Sequence, residues 1–541
     1  MSRRFAPLSL ALALAACSRA PSAGARAAAP APRASAGGLI TTDELRRDLF
    51  VLAADSFRGR ETGTSDAQRA AAFLARRVQQ MGLEPAGDSL YMQRVPLVRE
   101  TLGRSTRLAV SVNGQQKTLR LGTDVVPIVT FFGELPEPRR NADGELVFVG
   151  YGATDENEAQ ALARVDLEGK VAVVLHGAPP GVSAERKKKL ESEEALGTRL
   201  GYLYRLRPAA VIFLMTGATE DFYHQVAPEL LRGVIPEGQE ETITDAARAM
   251  PMVLFGIARA GSPLLPPQWP SDVRPQELGR RFSGRIEVQR EGFTGYNVVA
   301  VVRGRDPRFN KTYLAYGAHY DHIGIVRPDG VANARAPAND SIANGADDDG
   351  SGSVALLAIA KQMAAVRPRR SVLFVWHVAE EKGMLGSAYF TEHPSVPIDS
   401  IVAQFNADMI GRNDPNTLAL VGPRAAPNFQ SWRLGIIVDS VNRADPTPFR
   451  IDRQFDDADH PEHIYQRSDH YNYAKKGIPI IFFTTGLHED YHKVSDEPSK
   501  IDYDKVARVA RLMLDAGLAV ANRASRPTSD AVPKAVSSRS P

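Results

Sequence analysis

The sequence predicts an α/β fold: a mostly parallel or mixed sheet with helices on both faces, joined to a smaller β-rich inserted module. Three observations carry that expectation. Between 284 and 525, short apolar, β-branched runs alternate with helical text, the order that wraps helices around a largely parallel sheet. Between 123 and 283, apolar runs closed by glycine recur with a different texture. And 541 residues exceed what one ordinary hydrophobic core supports, so two or more packed units are expected. With 43% apolar and 24% charged residues the chain reads as globular rather than disordered. Its net charge of +3 includes no basic stripe, which argues against nucleic acid as a partner.

The elements follow in chain order. "MSRRFAPLSLALALAACS" sets Arg3 and Arg4 before a short apolar stretch, the layout of an export signal. Leu14-Ala15-Ala16-Cys17 resembles a bacterial lipobox, so 1–17 is expected to be a lipoprotein signal peptide and Cys17 the lipidated anchor. Ser18, where a retention aspartate would stand, favours the outer membrane facing the periplasm, or secretion. Cys17 is the only cysteine, which excludes an intrachain disulfide and a thiolate metal site. Beyond it no apolar run reaches the roughly 18 residues of a membrane span. Residues 18–38 are Ala, Pro, Ser and Gly and read as a disordered tether.

Residues 39–122 open with a Thr cap and apolar residues at helical spacing. The pattern breaks at "FRGRETGTS" and resumes as a second helix from about Asp66 to Met81, closed by Gly82. This is the N-terminal part of the larger domain. In 123–283, "GELVFVGYGA", "GKVAVVLHG" and "AAVIFLMTG" read as buried strands. "ERKKKLESEE" reads as a solvated helix. His176 and His224 lack ligand-type neighbours and are expected to be structural or surface groups. In 284–525, "TGYNVVAVVRG", "KTYLAYGAHYDH", "RSVLFVWHVA", "SIVAQFNADMIG" and "IPIIFFTTG" are strands, while "GSGSVALLAIAKQMAAV", "LGSAYFTEH", "SDHYNYAKKG" and "YDKVARVARLMLDAGLAVAN" are helices. Residues 526–541 are expected to be a disordered tail.

Ligands of such a sheet gather beyond the carboxyl ends of its strands. His319 and Asp321 close one strand, Glu380 and Glu381 another, and Asp408 a third. Asp347 lies in the "NGADDDGSG" loop that opens a helix, and His492 follows "IPIIFFTTGLHEDYH". A single strand-end carboxylate means little. Five such positions in one segment point to a divalent-ion site, and oxygen and nitrogen donors without cysteine suit zinc. Residues two apart on a strand share a face, so His319 and Asp321 should point together and His322 away. Asp321 would then accept the second imidazole N–H of His319.

Taken in order, "AHYDHIG", "NGADDDGSG", "AEEKGMLGSAYF", "NADMIGR", "RSDHYNYAKKGIPIIFFTTG" and "YHKVSDEPSKID" resemble the motifs of metallopeptidase family twenty-eight, the co-catalytic dizinc aminopeptidases of clan MH. The resemblance covers 284–525 and the stretch "SFRGRETGTSDAQRAAAFLARRVQQMGLEP". It implies the phosphorylase/hydrolase-like zinc exopeptidase fold and two zinc ions. His319 and Asp408 would bind one ion, Glu381 and His492 the other, with Asp347 bridging and a cis peptide between Asp347 and Asp348. It also implies Glu380 as general base, Asp321 as a supporting catalytic residue, and Tyr465 as hydrogen-bond donor to the oxyanion. Lys493 stands where many relatives carry a small hydroxyl residue, which leaves His488 as an alternative ligand. His460, His463 and His470 match no ligand role. "LVFVGYGA", "DLEGKVAVVLHGAPPG" and "RPAAVIFL" resemble the protease-associated domain, which implies that 123–283 is a non-catalytic module gating the substrate. The implied activity is release of N-terminal residues from peptides, with a membrane partner only through Cys17. A carboxypeptidase, a one-zinc glutaminyl cyclase and a metal-free, transferrin-receptor-like binding protein share the fold and stand as alternatives. The full ligand set disfavours the last.

Overall fold

Strands Tyr313–His319, Ser371–His377, Ile401–Ala407 and Ile480–Thr484 are buried along their whole length and run parallel. Their alternation divides two apolar layers. Leu314, Tyr316, Ala318, Val372, Phe374 and Trp376 face one cluster, while Tyr313, Ala315, Leu373 and Val375 face another. Both faces therefore need helical cover. In this computed structural model, residues 40–527 are described except 130–138, 218, 221–222, 224–226, 228–229, 239–249, 327–339, 424–430, 458–459 and 461. The expected signal peptide, Cys17, the tether, His224 and most of the tail lie outside the described residues.

Helices Thr42–Leu52, Ser65–Gln80, Gly352–Val366, Trp432–Ala444 and Tyr503–Ala521 supply the larger layer. Leu385–Glu392 and His470–Lys475 cover the other. The Thr41 and Thr64 hydroxyls accept the Glu44 and Ala67 N–H groups, each N-cap stabilising its helix by about 1 kcal/mol. Antiparallel strands flank the parallel core: Val288–Val302, Met92–Leu102 and Arg232–Pro236 on one side, Thr417–Val421 on the other, with Arg450–Asp452 outermost. The result is a mixed, ten-stranded sheet. No helix among the described residues is long and apolar enough to cross a membrane.

A second, eight-stranded sheet has apolar clusters on both of its own faces. At its centre Asn141–Phe148, Val171–His176, Ala210–Met215 and Met252–Ile257 run parallel. This sheet does not coincide with the expected 123–283. The hairpin Arg107–Val112 and Gln115–Thr118 joins it from before residue 123, while Arg232–Pro236 leaves the segment to pair with Met92–Leu102 of the first sheet. The cause is the long ribbon Met92–Leu102 with Val288–Val302, which leads directly into the second sheet. Alternation reveals a strand but not its partner.

Candidate metal centre

The register pairs His319 with His377 and Ala407 with Phe483, so the parallel strands end nearly level. Just beyond those ends the chain turns sharply. Ala379, Met409 and His492, adjoining or among the candidate residues, have φ of 58°, 55° and 54°, a region that costs a non-glycine residue about 1–3 kcal/mol. The turns aim Glu380, Glu381, Asp408 and His492 at one volume, where His319 and Asp348 meet them.

The contacts divide about Asp348. Its Oδ1 is 3.1 Å from His319 Nε2, which also lies 3.6 Å from Asp408 Oδ1. Its Oδ2 is 3.2 Å from His492 Nε2, which lies 3.0 Å from Glu381 Oε2. His322 Nδ1 is 2.7 Å from Glu381 Oε1. Two groups have ligand atoms within 4.8 Å of one another: His319, Asp348 and Asp408, and His322, Asp348 and Glu381. His319 Nε2 and Asp408 Oδ1 are buried without a hydrogen-bond partner. Buried polar atoms are almost always paired, so these orphaned donors fit a cation.

Five expectations change. Asp348, not Asp347, stands between the two groups. The Asp347 Oδ1 accepts the Gly411 N–H at 2.6 Å and its Oδ2 faces His488 Nε2 at 3.3 Å, so Asp347 and His488 form a separate pair. The non-proline cis peptide correspondingly joins Asp348 and Asp349. His322 points into the centre rather than away, because the strand ends at His319 and its alternation ends with it. Asp321 faces Nδ1 of His319 through its backbone carbonyl, at 3.1 Å, while its carboxylate oxygen is 3.8 Å away. That carboxylate instead accepts the Thr62 hydroxyl at 2.7 Å and the Glu380 N–H at 3.2 Å. Tyr465 is buried in the apolar layer with its hydroxyl unpaired, and its neighbours Ile464 and Arg467 line the cleft instead. His460, His463 and His470 lie outside both groups, and the His470 Nε2 meets the Tyr465 carbonyl at 2.8 Å.

The adjacent glutamates are driven in opposite directions. Burial holds the Glu380 carboxyl well above its ordinary range, reinforced by Asp408, Glu381 and Asp469 against the pull of His319. Burial and Asp348 would also raise Glu381, but His492 and His322 bring it down to about 2. For Asp348 burial is likewise outweighed, here by the facing imidazoles of His319, His492 and His322, which hold it well below the usual carboxylate range. A solvent-open cleft of about 450 Å³ joins Asp348, Glu380, Glu381, Asp408 and His492 to an apolar wall of Met409, Ile464, Phe482 and Leu487. Tyr491 lines it too, stacked on His492 with ring centroids 3.9 Å apart. The sequence reading missed Asp348, His322 and Tyr491. Each is the immediate neighbour of an expected candidate: Asp347, Asp321 and His492.

Residues 297–517 match the family model described as Peptidase family M28. Over 257 residues the chain is 26% identical to a probable leucine aminopeptidase of Trichophyton verrucosum, covering 46% of this chain and 64% of that relative. Leucine aminopeptidase 1 of Aspergillus niger is 30% identical over 259 residues, 45% of this chain and 60% of the relative. Leupeptin-inactivating enzyme 1 of Streptomyces exfoliatus is 29% identical over 213 residues, 39% and 40% respectively. The chain thus matches less than two-thirds of the length of each of these relatives. Among solved structures, an aminopeptidase from Aneurinibacillus sp. strain AM-1 superposes with a TM-score of 0.55 at 17% identity, over 91% of this chain and 96% of that one. A zinc aminopeptidase from Bacillus subtilis gives 0.51 at 15% identity, over 91% and 98%. At such identities the likeness establishes the fold alone, an α/β architecture. Every residue of the two donor groups lies within 297–517, the stretch that matches the Peptidase family M28 model.

Proposed function

We propose that this chain is a zinc-dependent aminopeptidase, a hydrolase that releases N-terminal residues from peptides through a pair of zinc ions. The observation that carries the reading is Asp348, whose two carboxylate oxygens each face a different donor group. His319 and Asp408 would hold one zinc and Glu381 and His492 the other, with Asp348 shared. His492 is preferred to His322 because its Nε2 reaches both Glu381 and Asp348 within 3.2 Å, whereas His322 reaches Asp348 only at 3.9 Å. His322 then holds Glu381 in place. Zinc bound there would lower the pKa of a water toward neutrality and polarise the scissile carbonyl.

Glu380 lines the cleft, belongs to neither donor group, and lies 3.8 Å from His319 Nε2. Its raised carboxyl suits a group that takes the water's proton and passes it to the leaving amine. The Tyr491 hydroxyl, pushed up to about 12 by burial, stays protonated near neutrality and can donate a hydrogen bond to the oxyanion, the role expected of Tyr465. Met409, Ile464, Phe482 and Leu487 would receive an aliphatic side chain, in keeping with relatives named leucine aminopeptidase. Two further parts of the reading rest on sequence alone: a protease-associated module that filters access, and export with a lipid anchor at Cys17.

The test compares a leucyl anilide with its N-acetylated form, before and after chelation. The free-amine substrate should be cleaved and the blocked one spared, with activity lost on chelation and restored by zinc. Equal cleavage of both, or full activity without a bound divalent ion, would overturn the reading.

A further inference from the structure

Much of what holds the metal centre together comes from a segment near the N-terminus, outside 297–517. We propose that Arg60–Thr62 is a positioning clamp that keeps three ligand-bearing loops in register for metal. The proposal rests on the two-zinc reading above.

Arg60 is fully buried. Its Nε donates to the Tyr320 carbonyl at 2.6 Å, its Nη1 to the Asn344 and Leu52 carbonyls at 2.6 and 3.1 Å, and its Nη2 to the Gly345 carbonyl at 2.9 Å. Tyr320 lies between His319 and His322, and Asn344 and Gly345 lead into Asp348. One rigid, planar fork of donors therefore ties the histidine loop to the loop of the shared carboxylate. The Arg60 carbonyl accepts the His322 N–H at 3.4 Å. Thr62 adds the third loop. Its hydroxyl donates to Asp321 Oδ2 at 2.7 Å and accepts the Ala379 N–H at 3.2 Å, beside the Glu380 N–H that donates to Asp321 Oδ1.

Two features separate this clamp from an ordinary buried arginine. Gly59, with φ of 69°, lies so close to the metal loops that a Cβ there would meet the Ala343 and Gly324 carbonyl oxygens at 2.4 and 2.6 Å. Only glycine lets the segment seat. The guanidinium also places a permanent positive charge amid Asp321, Asp348, Asp349 and Asp496 while bonding only to carbonyls, so it does not draw the Asp348 carboxylate away from the facing imidazoles. It offsets their mutual repulsion before any cation arrives.

The experiment titrates metal-free wild type, Arg60→Lys and Thr62→Val with zinc against a chromophoric chelator, and records melting curves without and with zinc. A lysine ammonium cannot span four carbonyls from three separate segments, and valine keeps the threonine shape without its hydroxyl. Each variant should bind zinc about 10–100-fold more weakly, the range for groups that orient metal ligands. Its melting temperature should gain less from zinc than that of wild type. A purely structural pin would lower both melting curves equally and leave the affinity of the folded protein unchanged, which would overturn the proposal. If Arg60→Lys does not fold, Thr62→Val decides, and wild-type affinity in that variant overturns it. Wild type that takes up no zinc would overturn the zinc reading itself, and the clamp with it.

Discussion

Neighbouring aspartates give the sharpest test of the centre. Asp348→Asn removes the charge that faces His319 at 3.1 Å and His492 at 3.2 Å, and with it a donor common to both groups. Groups that merely orient metal ligands cost 10–100-fold in affinity when lost, so a direct ligand shared by two ions should cost at least ~100-fold, or about 2.8 kcal/mol. Both zinc equivalents should weaken together. Asp347→Asn is the control. Its Oδ1 can still accept the Gly411 N–H, and only the charge facing His488 at 3.3 Å is lost, so zinc affinity should fall less than ~10-fold. The assay is competitive zinc titration of metal-free protein, with turnover of a leucyl anilide measured on the same samples. If Asp347→Asn released both ions while Asp348→Asn retained them, the division of contacts about Asp348 would not describe the working site.

The glutamate pair should split in the same way. Glu380→Gln should keep both zinc equivalents and lose roughly 10²–10⁴ in turnover, while Glu381→Gln should lose one zinc and regain activity with added metal; metal analysis of both variants would expose swapped roles. His492→Gln should weaken one zinc by more than ~100-fold and His322→Gln by about 10–100-fold, as befits a group that holds Glu381; the reverse ranking would make His322 the ligand. Far from the centre, burial and the charge of Arg199 hold the His176 imidazole down at about 3, so the folded protein keeps it neutral where the unfolded chain takes up a proton below about 6.5. Its contribution is therefore intact above that pH and is lost as pH falls toward 3, by up to about 1.4 kcal/mol per unit. His176→Asn should flatten the fall of urea midpoint between pH 6.5 and 4, and an unchanged slope would contradict the argument.

What the sequence discloses is limited by what local pattern encodes. The four parallel strands are legible because each is a short apolar run buried on both faces, and their carboxyl ends identify where polar residues must meet. The edge of the second sheet is not legible. The residues of Arg107–Val112 alternate as those of Met92–Leu102 do, and only the tertiary pairing assigns them to different sheets. Within the centre, "ADDDG" offers three chemically identical side chains. The choice of Asp348 is made by the backbone path, which the Asp496 carboxylate holds by accepting the Asp347 and Asp348 N–H groups at 2.9 to 3.1 Å. His322 escaped for a related reason: period-two reasoning holds only as far as the strand does.

Glu380 and Glu381 show where such reasoning must end. They are identical, adjacent and follow the same strand, yet burial and neighbouring carboxylates push one well above its usual range while two imidazoles bring the other down to about 2. Nothing local distinguishes them. Glu381 meets His322 from the preceding strand's end and His492 from a loop more than a hundred residues downstream, and both imidazoles favour its anion. Glu380 is turned toward Asp408 and Asp469, which oppose its ionisation. A pair of carboxyls whose surroundings drive them apart separates the work of proton transfer from that of binding a cation. Here the separation is created by loops that meet only in the folded chain, three of them tied together by Arg60 and Thr62. Chemical identity in the sequence is converted into opposite roles by the geometry of those loops.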